Sequence, residues 1–114
     1  MKWQVSRNEV NGEAATVCKF PFPIKECAEA EDVLLVLLDV PSNSSMPRNV
    51  FAISGICDVL WTIEDAPDAA SDPADCYVGI VAVNRNLVRI ATWTGWVVEV
   101  DLGSGRIVGS QWLK

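Results

Sequence analysis

One run of six apolar residues, Val33-Leu34-Leu35-Val36-Leu37-Leu38, is the longest uninterrupted apolar stretch in the chain. Its length is typical of a β-strand and far short of the ~20 residues that a membrane-spanning helix needs. Because successive side chains of a strand point to opposite faces of a sheet, this strand would carry apolar groups on both faces. We therefore expect residues 33–38 to form a central strand that is covered on both sides.

Turn-forming residues divide the rest of the chain into short segments that have the length of strands. These segments show no helical period, although residues 24–32 permit either one helical turn or a further extended segment. The remaining predicted strands are 3–6, 15–20, 50–53, 59–63, 77–83, 87–93, 96–102 and 106–112. About nine or ten short strands, with turns about every 8–12 residues, predict an all-β fold. Residues 1–114 should form a single antiparallel domain, a sandwich or a curled meander, with at most one short helix.

Two stretches, 50–61 and 97–108, share a pattern of an apolar strand, a turn and a second apolar strand. The segments Val50-Phe51-Ala52-Ile53 and Val59-Leu60-Trp61 resemble the hairpins of quinoprotein-type β-propeller blades. They depart from those hairpins at the turn, where Ser54-Gly55-Ile56-Cys57 stands in place of an Asp-x-Asp-Gly pattern. The resemblance implies hairpins without a closed propeller or a quinone cofactor, because a propeller needs at least about four blades of about 40 residues each. The whole chain also looks like small uncharacterised bacterial proteins, some of which are suspected immunity proteins of toxin systems.

The residue types exclude several kinds of site. The chain has no histidine, which removes the commonest general base and zinc ligand. The cysteines are separated by 9, 30 and 19 positions and lack the close pairs that are typical of zinc sites. Dinucleotide-binding and phosphate-binding motifs are also missing from the sequence. We therefore predict no metal, no cofactor, and buried, inert thiols at Cys18, Cys27, Cys57 and Cys76.

The balance of charges restricts the partners. Fifteen acidic and nine basic residues give a formal net charge of -6. An acidic chain is poorly suited to nucleic acid or to an anionic membrane surface. Polar residues already alternate with apolar ones over positions 1–7, and no apolar signal region follows them. We expect a cytoplasmic protein that binds neither nucleic acid nor membrane.

An acidic segment, residues 64–75, is the first candidate for a functional surface. Its five carboxylates have no basic residue among them. They could bind a basic partner protein or a hard cation, or they could be solvated residues that form turns and caps. The candidate residues are Glu64, Asp65, Asp68, Asp72 and Asp75.

The five tryptophans are the second candidate. Trp3, Trp61 and Trp112 stand at alternating apolar positions, where we expect core residues. Trp93 and Trp96 flank a presumed two-residue turn, so we expect them to be neighbours across a hairpin. This pair could cover the end of the core, or it could be an exposed hot spot for binding.

A carboxylate pair offers an alternative, enzymatic interpretation. Glu99 and Asp101 lie two residues apart on one strand face, and two carboxylates can carry out glycoside hydrolysis. Arg89 or Thr92 on the neighbouring strand could neutralise them, and Asp101 could accept hydrogen bonds from the turn that follows it. Pairing on an exposed face is therefore the favoured interpretation.

Three classes of function are compatible with the sequence. The favoured one is a non-enzymatic protein-binding module, for instance an immunity-type inhibitor whose acidic residues cover a basic toxin surface. The second is a self-associating structural protein. Its basis is that the apolar faces of 33–38 and 80–83 need cover, and a two-fold dimer supplies it with one repeated patch. The third is a small enzyme that uses carboxylates alone.

Overall fold

The computed structural model describes residues 3–41, 44, 46–66 and 75–112, and these residues form an all-β structure. The strands are β1 (Gln4–Ser6), β2 (Glu9–Asn11), β3 (Val17–Lys19), β4 (Ile24–Ala30), β5 (Val33–Leu38), β6 (Val50–Ile53), β7 (Val59–Thr62), β8 (Tyr77–Val83), β9 (Leu87–Thr92), β10 (Trp96–Asp101) and β11 (Ile107–Trp112). A short 3-10 segment spans Glu13–Ala15, and it is the only helical segment among the described residues. The predicted fold class is therefore confirmed.

The strands form three antiparallel sheets in which neighbours in space are also neighbours in sequence. We call them the N-terminal sheet (β1–β3), the middle sheet (β4–β7) and the C-terminal sheet (β8–β11). Each sheet is a simple meander, which is the arrangement that short turns between strands favour. The sequence-based count of about nine or ten strands was low because it did not include β2 and left β4 open.

β5 is the buried central strand that its sequence predicts, since it lies between β4 and β6 in the middle sheet. Leu35 and Leu37 belong to an apolar cluster shared with the C-terminal sheet. Leu34, Val36 and Leu38 belong to a second apolar cluster shared with the N-terminal sheet. Because alternate side chains enter two different cores, the middle sheet is the central layer of three.

The N-terminal sheet covers the face of the middle sheet that carries Leu34, Val36 and Leu38. Its side chains Trp3, Val10 and Phe20 are buried in the second cluster. The Trp3 indole Nε1 donates a hydrogen bond to the carbonyl oxygen of Ser54 at 2.9 Å, and the Phe20 ring packs on Phe51 with centroids 5.2 Å apart. Residues of the same chain therefore cover both apolar faces of β5, so this strand gives no reason to expect a second chain, and self-association stays a prediction.

Residues 3–32 differ most from the sequence-based prediction. A strand was expected over 15–20, but β3 is shorter and the additional strand β2 pairs with both β1 and β3. The open alternative at residues 24–32 is resolved in favour of a strand, because β4 pairs with β5 along its length with one register shift between Ile24 and Glu26. The single short helical segment lies at 13–15 instead.

The hairpin of β10 and β11 is fastened to the middle sheet at its turn. The Asp101 carboxylate accepts hydrogen bonds from the Ser104 amide at 3.1 Å and the Ser104 hydroxyl at 2.6 Å, as the turn chemistry predicts. Gly105 adopts a φ of 76°, and a Cβ at this position would lie only 2.4 Å from the Trp61 ring. Trp61 also donates its indole N–H to the Leu102 carbonyl oxygen at 2.7 Å. The absence of a side chain at Gly105 thus lets the turn close over Trp61.

The described residues have a radius of gyration of 13.5 Å and extents of 42 × 33 × 17 Å. The radius agrees with the roughly 13 Å that is typical of a compact domain of about 100 residues. In the described part of the chain, no helix is both long enough and apolar enough to span a membrane.

Candidate functional site

A three-residue turn, Trp93-Thr94-Gly95, joins β9 to β10 at one end of the C-terminal sheet. The buried Asp75 carboxylate accepts hydrogen bonds from the Thr94 amide at 3.2 Å and from the Thr94 hydroxyl at 2.7 Å. The Trp96 amide donates to the Thr92 hydroxyl oxygen at 3.0 Å, and Gly95 takes a φ of 114°. These contacts fix the backbone that carries Trp93, so its position does not depend on a partner.

Trp93 and Trp96 were expected to be neighbours across a two-residue turn, but they are not cross-strand partners. Ala91 lies opposite Val97, so continuing the register places Thr92, not Trp93, opposite Trp96. The loop is one residue longer than predicted, so Trp93 lies in the turn and not at a paired strand position. Trp93 is consequently left 70% exposed.

Trp96 packs instead against Trp112 of the neighbouring strand. These two residues are direct cross-strand partners, and their ring centroids lie 5.2 Å apart. The Trp96 Nε1 is buried and has no hydrogen-bond acceptor among the described residues, so the contact between the two side chains is ring packing. Trp112 was predicted to be a core residue, but it is 45% exposed because it lies on the last strand of its sheet. Trp93, Trp96 and Trp112 together define what we call the tryptophan end of the C-terminal sheet.

β11 is an edge strand that carries no charged side chain. Val108 is exposed, as is Trp112 further along the same strand. The first amide of the strand, Ile107 N–H, donates to the Glu64 carboxylate at 2.6 Å. Charged residues and bulges commonly protect edge strands from pairing with other chains. On β11 both lie near its beginning, where Glu64 contacts Ile107 and the register with β10 shifts so that Val108 is skipped between Ile107 and Gly109.

The acidic segment contributes fewer free charges than its sequence suggests. Asp65 forms a two-pronged contact with the Arg48 guanidinium, at 3.1 and 3.2 Å, and this partner lowers the pKa of the Asp65 carboxyl. Glu64 accepts the hydrogen bond from Ile107, and Asp75 is fully buried at the turn of Thr94. Asp75 is therefore a structural residue and does not present a charge to a partner. The other two candidates, Asp68 and Asp72, lie outside the described residues.

The outer face of the C-terminal sheet carries a shallow depression of about 260 Å³. It is lined by Arg89, Val97, Glu99, Ser110 and Gln111. Glu99 lies opposite Arg89 in the ladder and forms an ion pair with it at 3.5 Å, as predicted. With Asp101 bonded to its turn, neither carboxylate of the proposed catalytic pair lacks a structural partner.

The cysteines are less buried than the sequence predicts. Cys27 is exposed, and Cys18, Cys57 and Cys76 are half-buried free thiols. Partial burial raises the pKa of Cys18, Cys27 and Cys76 above that of an ordinary thiol. Among the described residues, no three Cys, Asp or Glu side chains converge as metal ligands would.

Tyr77 gives the domain a predicted sensitivity to alkaline pH. Its hydroxyl donates to the Glu64 carbonyl oxygen at 2.9 Å, and burial raises its pKa well above the ordinary value of about 10. The unfolded chain therefore loses this proton first, so stability is complete below about pH 10 and falls as the pH rises further. We expect a loss of about 1.4 kcal/mol per pH unit above pH 10.

The measurement is urea unfolding of the native protein and of Tyr77→Phe between about pH 8 and pH 11. The variant lacks the ionisable hydroxyl, so its stability should fall less steeply over this range. Equal slopes for the two proteins would show that Tyr77 does not cause the alkaline loss.

Residues 2–112 match the model of a family described as Domain of unknown function (DUF7957), and the chain therefore belongs to that family. No curated protein matches the chain. The family match supports neither the propeller likeness nor the immunity-type likeness. The resemblance of residues 50–61 to propeller blades is thus restricted to a hairpin of β6 and β7.

Proposed function

We propose that this member of the family is a non-enzymatic protein-binding module that docks through the tryptophan end of its C-terminal sheet. The observation that carries the proposal is the 70% exposure of Trp93 on a turn that the protein itself holds in place. A large exposed apolar side chain is poorly hydrated and lowers the solubility of a protein. This protein nevertheless keeps Trp93 exposed, on a turn that buried hydrogen bonds hold in place. Tryptophan is also among the residues most enriched in binding hot spots.

The tryptophan end is already ordered in the free protein, and this preorganisation supports its role as the docking surface. Thr94 is bonded to the buried Asp75, and Trp96 is packed on Trp112. A partner would therefore order few additional side chains on binding, and the entropic cost of association would be small. We assign the docking contacts to Trp93 and Trp112, with Trp96 positioning Trp112.

The chemistry of the chain favours a partner with a basic surface near its apolar contact. The net charge of -6 would attract such a partner and increase its association rate. An immunity-type inhibitor of a basic toxin is one form of this proposal, and a cytoplasmic location belongs to it as well. The charge argument rests on the whole chain, since Asp65 and Asp75 already have partners within it.

The test compares the native domain with Trp93→Ala and with a matched control, Ile56→Ala. Ile56 is also an exposed apolar residue, but it lies in the turn between β6 and β7. Proteins retained from the source cells would be purified and titrated against each bait. We expect Trp93→Ala to weaken binding at least about 30-fold, as truncation of a hot spot does, and Ile56→Ala to leave it within about threefold. Equal affinity for the two variants would overturn the proposal, as would recovery of no direct protein ligand.

Self-association is the second candidate, and the uncharged edge strand β11 supports it. Two copies could pair their β11 strands antiparallel about a two-fold axis without bringing like charges together. Light scattering after size-exclusion chromatography at micromolar concentration would then give twice the 12.4 kDa of one chain. Val108→Lys should return the mass to that of one chain, and a native protein of 12.4 kDa would refute this candidate.

A further inference from the structure

Cys18 and Cys57 come together at the junction of the N-terminal and middle sheets. Cys18 lies in β3 and Cys57 in the turn between β6 and β7, yet both pack against the second apolar cluster. The Cys57 Sγ is 3.6 Å from the carbonyl oxygen of Val10. Val10 is the direct cross-strand partner of Cys18. Cys18 and Cys57, which are distant in sequence, thus both lie next to Val10.

Gly12 provides the space that the Cys57 side chain occupies. A Cβ on Gly12 would lie 2.8 Å from the Cys57 Sγ and 2.8 Å from the Thr16 hydroxyl oxygen. The Gly12 amide donates to the Thr16 carbonyl oxygen at 2.9 Å, so these two residues face each other across β2 and β3. Thr16 precedes Cys18 by two positions, which places both side chains on the same face of the N-terminal sheet. The Cys57 thiol therefore lies over the strand pair on the face that carries Cys18.

The electrostatics of the site agree with this geometry. Burial raises the pKa of the Cys18 thiol, and the neighbouring Cys57 raises it further. Negative charge at Cys57 disfavours ionisation of Cys18, because like charges repel each other. The two sulfur atoms are therefore within electrostatic range of one another.

We propose that Cys18 and Cys57 are a redox pair that forms an intrachain disulfide when the protein meets hydrogen peroxide, and that this bond fastens the N-terminal sheet to the middle sheet. One thiolate attacks the peroxide, the O–O bond breaks, and a sulfenic acid forms with release of water. The second thiolate attacks that sulfur, which forms the S–S bond and releases a second water. Overall, two thiols lose two electrons and two protons, and the peroxide is reduced to two waters.

The bond has consequences for stability and for rate. It closes a loop of about 40 residues, so the oxidised protein should melt roughly 10 °C higher than the reduced one. Because the pKa of Cys18 is raised, the reaction should be slow at neutral pH and faster at alkaline pH. In a reducing compartment the thiols persist, and the bond forms only during oxidation. The pair lies apart from the tryptophan end, so this inference does not depend on the proposed function.

The experiment uses the full-length protein with Cys27→Ser and Cys76→Ser, which retains the two thiols in question. It is treated with hydrogen peroxide at about pH 8.5, where thiolate is available, and is then alkylated and analysed by mass spectrometry. We expect both thiols to disappear and the mass to fall by about 2 Da, the loss of two hydrogens. Proteolysis should yield one peptide pair that joins Cys18 to Cys57, and dithiothreitol should reverse the change.

A matched control, Cys18→Ser in the same background, should show no rise in melting temperature after oxidation. The same mapping on the unmodified four-cysteine protein shows the native pairing without any substitution, in case a variant folds poorly. Free thiols or higher oxides without a crosslink would overturn the proposal. A disulfide that joins two chains, or one that uses Cys27 or Cys76 in the native protein, would overturn it as well.

Discussion

Replacing Leu35 with alanine is expected to lower the free energy of unfolding by about 2–5 kcal/mol. Leu35 is fully buried in the apolar cluster between the middle and C-terminal sheets, opposite Ala52 on β6. The truncation removes the transfer free energy of three carbon atoms and leaves a cavity that packed neighbours on both sheets cannot fill. The effect is large because the strand lies at the centre of three layers and has no freedom to shift toward solvent.

The measurement is equilibrium unfolding in urea, with Leu60→Ala as the matched control. Leu60 carries the same side chain but is 52% exposed on the edge strand β7, so its truncation should change stability by no more than about 0.5 kcal/mol. A loss below about 1 kcal/mol for Leu35→Ala would contradict the assignment of β5 as the central strand.

Replacing Asn49 with alanine is expected to cost about 2–4 kcal/mol. The buried Asn49 amide donates to the carbonyl oxygens of Leu38 at 2.9 Å and Tyr77 at 2.8 Å, and its oxygen accepts from the Tyr77 amide at 2.9 Å. Without the Asn49 side chain, the amide and the carbonyl oxygen of Tyr77 lose these hydrogen bonds while they stay buried. No new interaction then offsets the free energy of desolvating them. Asn49 is thus a buried polar link between the middle sheet and Tyr77, the first residue of the C-terminal sheet.

Asn84→Ala is the control, because Asn84 is exposed in the turn between β8 and β9. Its substitution should leave the free energy of unfolding in urea unchanged to within about 0.5 kcal/mol. If Asn49→Ala were equally mild, the hydrogen bonds of Asn49 would not help to join the two sheets, which apolar contact and the Trp61–Leu102 hydrogen bond also connect.

Much of the fold could be predicted from the sequence because the strands of the C-terminal sheet and most of those of the middle sheet are strongly patterned. The six-residue run of β5 and the bounds of β6 and β8 were predicted correctly. The N-terminal sheet was not, since β1, β2 and β3 have three residues each, too few to show a period. Its existence changes the interpretation of β5, whose second apolar face packs within the chain and not against a partner.

The candidate site depended on register and on distant partners, which local patterns do not reveal. A loop of three residues in place of two moved Trp93 away from Trp96 and left it exposed. Asp65 is neutralised by Arg48, which lies 17 positions earlier in the sequence and outside the acidic segment. Alternation also assigned Trp112 to the core, but it cannot show that β11 is an edge strand.

The central claim is that residues of one chain cover both faces of β5. Folding therefore does not need the exposed tryptophans. Native-state hydrogen exchange of the β5 amides, measured on the isolated chain across low urea concentrations, tests it most directly. We predict that the amides of Leu35, Val36 and Leu37 exchange only through global unfolding, with its full free energy and its urea dependence. Exchange of these amides through a low-energy opening that depends little on urea would show that a face of β5 is uncovered, and would contradict the account.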